Sequence, residues 1–207
     1  MLDRYYSAPW WIDVLFDAPV VAHHVRQARH ILEPFAGQDL SLARRMAERG
    51  HYVTTADVDK EAPVHIHGDS FSREWGYHDA VVTNPPFVVD VDGTKRQASD
   101  AVRLFVPRVR RFAAFLMRLS WMEACGDRGD ILSEYPPDHV IVLQRYSFKK
   151  TLKSSTDKVT CAWFIWAAES TGLSTWKSLT KQEAERYKRR YAYDQMGRFG
   201  SLLSNGE

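Results

Sequence analysis

Residues 84–87 read Asn-Pro-Pro-Phe, directly after the short apolar run "AVVT" that ends at Thr83. These four types in this order suit one kind of chemistry. An exocyclic aromatic amine is a poor nucleophile, because its lone pair is drawn into the ring. Two acceptors aimed at its two N–H bonds favour a pyramidal nitrogen whose lone pair can attack. The side-chain oxygen of Asn84 is one such acceptor, the backbone carbonyl of Pro85 is the other, and Pro86 stiffens the exit. Proline fixes the chain direction and has no donor that would pair this backbone elsewhere. Phe87 adds a face on which a planar base can stack. The same residues also suit a plain strand end, since proline is an ordinary strand terminator. The rest of the chain has to decide between the two readings.

Three further segments carry chemistry at equivalent places. "LEPFAGQDLSLARR" (32–45) is a short apolar strand running into a glycine turn and then a helix. Gly37 in such a turn lets a ligand come close to the backbone, and the helix start offers free N–H groups. The spacing is not G-x-G-x-x-G, so this is no dinucleotide fingerprint. Asp57 follows the next strand, twenty residues on, where a carboxylate can accept from both hydroxyls of a ribose. "HGDSF" (67–71) follows a third strand, where Asp69 can accept from an adenine amino group and Phe71 can pack on the ring.

The elements that must position these residues are legible from periodicity. "APWWIDVLFDAPVVAHHVRQAR" reads as a leading helical segment, "HILEPFAG" as a strand, and "LSLARRMAERG" as an amphipathic helix closed by Gly50. "HYVTTAD", "VHIHGD" and "HDAVVT" are strands. "QASDAVRLFVPRVR" is a helix and "RFAAFLMRLSW" a fifth strand, apolar on both faces. "HVIVLQRYSF" and "VTCAWFIWAA" are the last two strands, split by the polar loop "KKTLKSSTDK". Apolar strands alternating with helices imply a parallel sheet covered on both sides. The final loop is too short for a crossover helix, so the last two strands pair antiparallel. The expected fold is α/β, Rossmann-like: a mostly parallel seven-stranded sheet with one antiparallel strand and helices on both faces. Residues 1–172 form its domain, and 173–207 a basic, helical C-terminal tail. Ligands in such sheets bind beyond the carboxyl ends of the strands, where all four segments fall.

The totals exclude several classes. The chain of 207 residues has no apolar run of membrane-spanning length, and "MLDRYYSAPWW" lacks the basic-then-apolar pattern of a signal peptide. Cys125 and Cys161 lack zinc spacing and read as reduced, buried thiols of a cytoplasmic protein. His23, His24, His65 and His67 form no metal pattern, and Trp10, Trp11, Trp163 and Trp166 read as core. Residues 1–100 hold 10 Lys/Arg against 15 Asp/Glu, whereas residues 101–207 hold 18 against 11. The second half, at +7, suits a polyanionic partner. Two segments can hold phosphates: the loop after the tetrad, with Lys95 and Arg96, and "QRYSFKKTLKSSTDK", with Lys149, Lys150, Lys153 and Lys158.

A glycine turn, two acids and N-P-P-F on four successive strand ends resemble the S-adenosylmethionine-dependent amino methyltransferases. Within that group the chain is similar to the DNA adenine-N6 methyltransferases, especially the small phage-type and orphan enzymes, over roughly residues 5–168. "YYSAPWWIDVLFD" resembles their Tyr-x-x-Pro segment, and "CAWFIW" after a basic loop resembles the final hairpin of the small phage forms. The resemblance implies S-adenosylmethionine as cofactor, held by Tyr6, Pro9, Glu33, Pro34, Phe35, Ala36, Gly37, Asp57, Asp69, Ser70, Phe71 and Asn84. It implies catalysis by Asn84, Pro85, Pro86 and Phe87 on a flipped-out adenine of DNA, with no metal, in the cytoplasm of a bacterial or phage-infected cell. Gln38 and Asp39 depart from the family, which usually carries a small residue there; Asp39 is expected to cap the following helix. Two other readings stand beside this one. Related tetrads serve enzymes acting on guanine-N2 of RNA or on a protein glutamine, usually with an extra N-terminal domain for which this sequence leaves no room. A degenerate, non-catalytic binding subunit is the other.

Overall fold

A computed structural model describes residues 7–91, 93–144, 159–170 and 174–204. The chain opens with two helices where one segment was expected, α1 (Trp10–Phe16) and α2 (Pro19–Gln27). Pro19 explains the break, because it sits in the first turn of α2 and Ala18 ahead of it is extended. There follow β1 (His30–Glu33), α3 (Ser41–Glu48), β2 (Tyr52–Asp57), β3 (Ile66–His67) and β4 (His78–Thr83). A hairpin of β5 (Val88–Val91) and β6 (Thr94–Gln97) leads into α4 (Ala98–Phe105). Then come β7 (Val109–Arg118), α5 (Arg128–Glu134), β8 (His139–Val142), β9 (Cys161–Ala167), β10 (Thr175–Ser178) and α6 (Lys181–Ser204).

Among the described residues eight strands form one sheet in the order β10-β8-β9-β7-β4-β1-β2-β3. Of these, only β9 runs antiparallel, to both β7 and β8. The mixed sheet and its single reversed strand are as expected, but the strand count is eight rather than seven. The extra strand is β10, which follows residue 172 and pairs parallel with β8 from Thr175↔His139 to Ser178↔Val142. The segment after the tetrad, expected as a loop, is the antiparallel hairpin β5–β6. The helix before β7 also ends earlier than its apolar pattern: Pro107 opens a 3-10 turn at Val106–Arg108, and β7 starts at Val109.

The sheet buries both faces. Ile31, Ala80, Val82, Phe112, Ala114, Leu116 and Trp163 pack under α1, α2, α3 and α6. Leu32, Val81, Ala113, Phe115, Met117 and Phe164 pack under α4 and α5. Alternate residues of one strand therefore serve opposite cores, which is why β7 and β9 read as continuously apolar. Each fully buried Phe or Leu contributes about 1.5–3 kcal/mol, enough to hold the short β1 and β4 rigidly between their neighbours. Both Trp163 and Trp11 are buried, and the Trp163 indole donates to the Trp11 carbonyl at 3.0 Å, fixing α1 to β9.

The chain runs from β1 outward to β2 and β3, then crosses to the other side for β4 and β7. The order reverses between β1 and β4, the place where a crevice opens beyond the strand ends. The glycine turn leaves β1 there, and the Asn-Pro-Pro-Phe tetrad leaves β4.

Cys161 is buried, but Cys125 is exposed, contrary to expectation, because it lies in the irregular link between β7 and α5. Burial pushes the Cys161 thiol up to about 11. Among the described residues no helix is long and apolar enough to cross a membrane, and no group of three or more His, Cys, Asp or Glu is placed to hold a metal ion.

Candidate active site

The turn after β1 is tied to the next two strand ends by hydrogen bonds. The Ala36 N–H donates to the Ala56 carbonyl at 2.9 Å. The Gly37 N–H donates to Asp57 Oδ2 at 2.7 Å, and Asp57 Oδ1 accepts from the Asp59 N–H at 2.8 Å. Ser70 Oγ donates to the Pro34 carbonyl at 2.6 Å. Gly37 has φ +67°, a conformation in which a side chain is strained although the space around it is open. The turn thus leaves room above its backbone while Asp57 holds it in place. Each carboxylate oxygen of Asp57 keeps accepting capacity beyond its one backbone partner.

Gln38 and Asp39 fill defined places. Gln38 Nε2 donates to Asp59 Oδ2 at 3.0 Å, a second tie between the turn and the end of β2. Asp39 Oδ1 accepts from the Ser41 N–H at 3.2 Å, so it stabilises the first turn of α3 from one residue outside the cap position. The cap itself is Leu40, in the left-handed region at φ 49°, which costs a non-glycine residue roughly 1–2 kcal/mol.

Glu33 is 2% exposed, and its Oε2 finds no hydrogen-bond partner among the described residues. Burial, with Asp39 and Asp57 nearby, raises its carboxyl well above the usual range against the opposing pull of the Ala43 N–H. A buried polar atom without a partner at a strand end beside a glycine turn fits a ligand-facing place.

Asp69 braces its own turn, Oδ1 accepting from the Phe71 N–H at 3.0 Å and Oδ2 from the Ser72 hydroxyl, and like Asp57 it keeps accepting capacity beyond one partner per oxygen. The Phe71 ring packs on Phe35 at 5.0 Å between centroids, and Arg96 from the β5–β6 hairpin lies 5.9 Å above the Phe71 ring. Arg96, expected on a phosphate-holding loop, instead leans from the hairpin over Phe71 on the glycine-turn side, whereas Lys95 is exposed.

At the end of β4, Asn84 Nδ2 donates to Ser7 Oγ at 3.1 Å. Ser7 is 7% exposed, in the segment just before α1. The amide is thereby anchored by its nitrogen, and among the described residues neither Asn84 Oδ1 nor the Pro85 carbonyl receives a hydrogen bond. Two acceptors on successive residues are thus without a hydrogen-bond partner among the described residues. Phe87 is half-buried, with the guanidinium of Arg118 over its ring, 4.2 Å from the centroid. Arg118 ends β7; Thr83 pairs with Phe115, so β7 runs three residues past the end of β4, alongside the tetrad.

The fold brings together Glu33, Pro34, Phe35, Ala36, Gly37, Asp57, Ser70 and Phe71 on one side and Asn84, Pro85, Pro86 and Phe87 on the other. Pro9 directly precedes α1 and lies close to Ser7 in sequence. Tyr6, Lys149, Lys150, Lys153 and Lys158 lie outside the described residues. Ser7 and Arg118 are new to the site. Nothing marks Ser7 within "YYSAPWW", whereas Arg118 carries a faint signal as the one charge closing a long apolar strand.

No family model matches the chain, and no curated protein matches it by sequence. Solved structures match it in fold. The methyltransferase subunit of a type I restriction-modification system from Streptococcus thermophilus superposes with a TM-score of 0.62 at 14% identity, over 92% of this chain and 54% of that one. The M protein of the type I restriction enzyme EcoKI gives 0.61 at 10% identity, over 87% and 50%. A protein assigned as a class I S-adenosylmethionine-dependent methyltransferase from Listeria monocytogenes gives 0.62 at 12% identity, over 89% and 69%. The chain has the Rossmann-like methyltransferase fold. It spans about half the length of the modification subunits it resembles.

Proposed function

We propose that this chain transfers a methyl group from S-adenosylmethionine to the exocyclic N6 amine of adenine in DNA, on a base drawn out of the stack. The observation that carries the reading is the pair of open acceptors, Asn84 Oδ1 and the Pro85 carbonyl, beside an aromatic ring. The unpartnered Glu33 Oε2, the open Gly37 turn and the Asp57 carboxylate fit a nucleoside cofactor between β1 and β4. Bound there, the cofactor would supply an electrophilic methyl on a sulfonium, with a neutral thioether as the leaving group.

The chain's own residues do the rest. Ser7 holds the Asn84 amide so that its oxygen faces the amine, and the Pro85 carbonyl takes the second N–H. Accepting both N–H bonds turns the nitrogen lone pair out of the ring. Acceptors fixed before the reaction need no rearrangement during it, the main source of electrostatic rate enhancement. Phe87 holds the plane of the base, and positioning supplies much of the remainder. The amine's proton leaves to solvent after transfer, so no dedicated base is required. Asp57 accepts from the ribose hydroxyls of the cofactor, and Phe71 packs beside its adenine, where Asp69 can accept from the amino group. Lys95, Arg96 and the lysines at 149, 150, 153 and 158 hold phosphates of the substrate strand.

Sequencing that reads modified bases, applied to DNA from cells with and without the expressed chain, tests the reading. Methylated adenine at a short motif, present only in expressing cells, is the expected outcome. Unmodified adenines together with a modified cytosine, RNA base or protein amide contradict it.

A further inference from the structure

Arg118 occupies a place that the reaction needs. A guanidinium 4.2 Å from a ring centroid lies on the face of Phe87, and a base stacked on that face would lie at about the same height. The two compete for one surface, because planar delocalised cations and nucleobases use the same kind of stacking. The strand register puts Arg118 there: Thr83 pairs with Phe115, and Arg118 follows three residues later on the neighbouring strand, beyond the end of β4. β7 is held on both edges, by β4 and by β9 up to the Arg118↔Cys161 pair, so its backbone does not follow the side chain.

On the reading proposed above, we infer that Arg118 stands in for the acceptor base on Phe87 while the site is empty, yields the ring to an arriving base, and then grips a phosphate beside the extruded nucleotide. A cation–π stack between half-buried partners is worth about 0.5–2 kcal/mol and a base–aromatic stack about 1–3 kcal/mol. The exchange alone therefore gives little surplus. A base gains decisively only if it also fills the two open acceptors at Asn84 and Pro85. Arg118 thus makes the exocyclic amine the condition for capture, and it acts as a specificity-determining residue although it touches no reacting atom.

The test uses the full chain with S-adenosylhomocysteine present and 2-aminopurine riboside as probe, a neutral nucleoside whose fluorescence is quenched on stacking. Arg118→Met and Arg118→Lys both lose the planar stack, and both should bind the riboside about twofold to thirtyfold more tightly than the parent chain. With a single-stranded oligonucleotide carrying 2-aminopurine, Arg118→Met should lower the logarithmic salt slope by about 0.7, one phosphate contact, while Arg118→Lys keeps it. A structural role alone predicts weaker binding in both variants and no separation between them. Riboside affinity unchanged or weakened in both overturns the stand-in role, and an unchanged slope in Arg118→Met overturns the phosphate grip. If neither Arg118 variant quenches either probe, Phe87 is not a base platform, and the proposed function fails together with this inference.

Discussion

Two regions of this chain are rich in buried polar groups, and they treat them oppositely. One joins α1, α3 and α6. Asp13, fully buried, accepts from Arg45 Nε and Nη2 at 3.0–3.1 Å and from Arg49 Nη1 at 2.7 Å. Arg45, 2% exposed, also reaches Glu48 at 2.9 Å and Asp194 at 2.6 Å. Arg190 pairs with Asp17 at 2.6 Å and Arg198 with Glu48 at 2.9 Å. Burial works against the charge of Arg45, but Asp13, Asp194 and Glu48 outweigh it and raise its pKa. The other region is the strand-end crevice. There Glu33 Oε2 and Thr83 Oγ1 are buried without partners among the described residues, and the acceptors of Asn84 and Pro85 are open. A saturated cluster fixes elements in place, whereas an unsaturated one stores binding capacity for something that arrives later.

The contrast is sharpest under substitution. The largest expected effect is structural. Asp13→Ala leaves Arg45 buried without its main partner, and breaking a buried pair in this way costs about 3–5 kcal/mol. Chemical denaturation should show that loss, with α6 released from α1 and α3. Retained stability would mean that the ionic cluster is not what docks α6.

Next in size is the tetrad. Asn84→Ala should cut turnover by at least about a hundredfold, comparable to removing one preorganised polar group at a reacting centre. Cofactor affinity and melting temperature should hardly move. Ser7→Ala should follow the same pattern at about threefold to tenfold, the weight of one neutral hydrogen bond. A folded Asn84→Ala chain that no longer binds cofactor would reverse the assignment of the two sides of the crevice.

Asp57→Ala should weaken cofactor binding about tenfold to a hundredfold, since hydrogen bonds to a charged group are worth roughly 1.5–3 kcal/mol. It also frees the Gly37 N–H that Asp57 holds. Calorimetry with S-adenosylmethionine measures the loss. Unchanged affinity moves the ribose role to Asp59, which Gln38 already ties to the same turn.

The smallest effect concerns pH. Burial raises the Glu33 carboxyl above its usual range, so the folded chain retains a proton that the unfolded chain releases. Stability of the cofactor-free chain therefore falls as pH rises from the ordinary glutamate value towards the raised one. Glu33→Gln removes this dependence and should give a slightly more stable chain at neutral pH. Parallel stability–pH curves for the two proteins would show that Glu33 is not held protonated.

The strand ends were legible in the sequence because they are marked by where apolar runs stop. Asn84, Asp57 and Gly37 could be placed from that alone. β10 escaped because "TWKS" has one apolar residue in four and all four are exposed, so the strand exists through backbone pairing at the sheet edge rather than through a buried face. α5 escaped because only Ile131 of its seven residues is buried. The ionic cluster escaped for a different reason: its members lie as far apart as Asp13 and Arg190, and no local pattern links charges over that distance. Ser7 and Arg118 are of the same kind, joined to the tetrad by folding rather than by spacing.

The central claim is that the open acceptors at Asn84 and Pro85 receive the amine of adenine. Incubating the chain with methyl-labelled S-adenosylmethionine and DNA, then digesting the DNA to nucleosides, tests it most directly. Label confined to N6-methyldeoxyadenosine, and lost in Asn84→Ala, is the predicted result. Label in a cytosine derivative, or equal adenine labelling in Asn84→Ala, would contradict it.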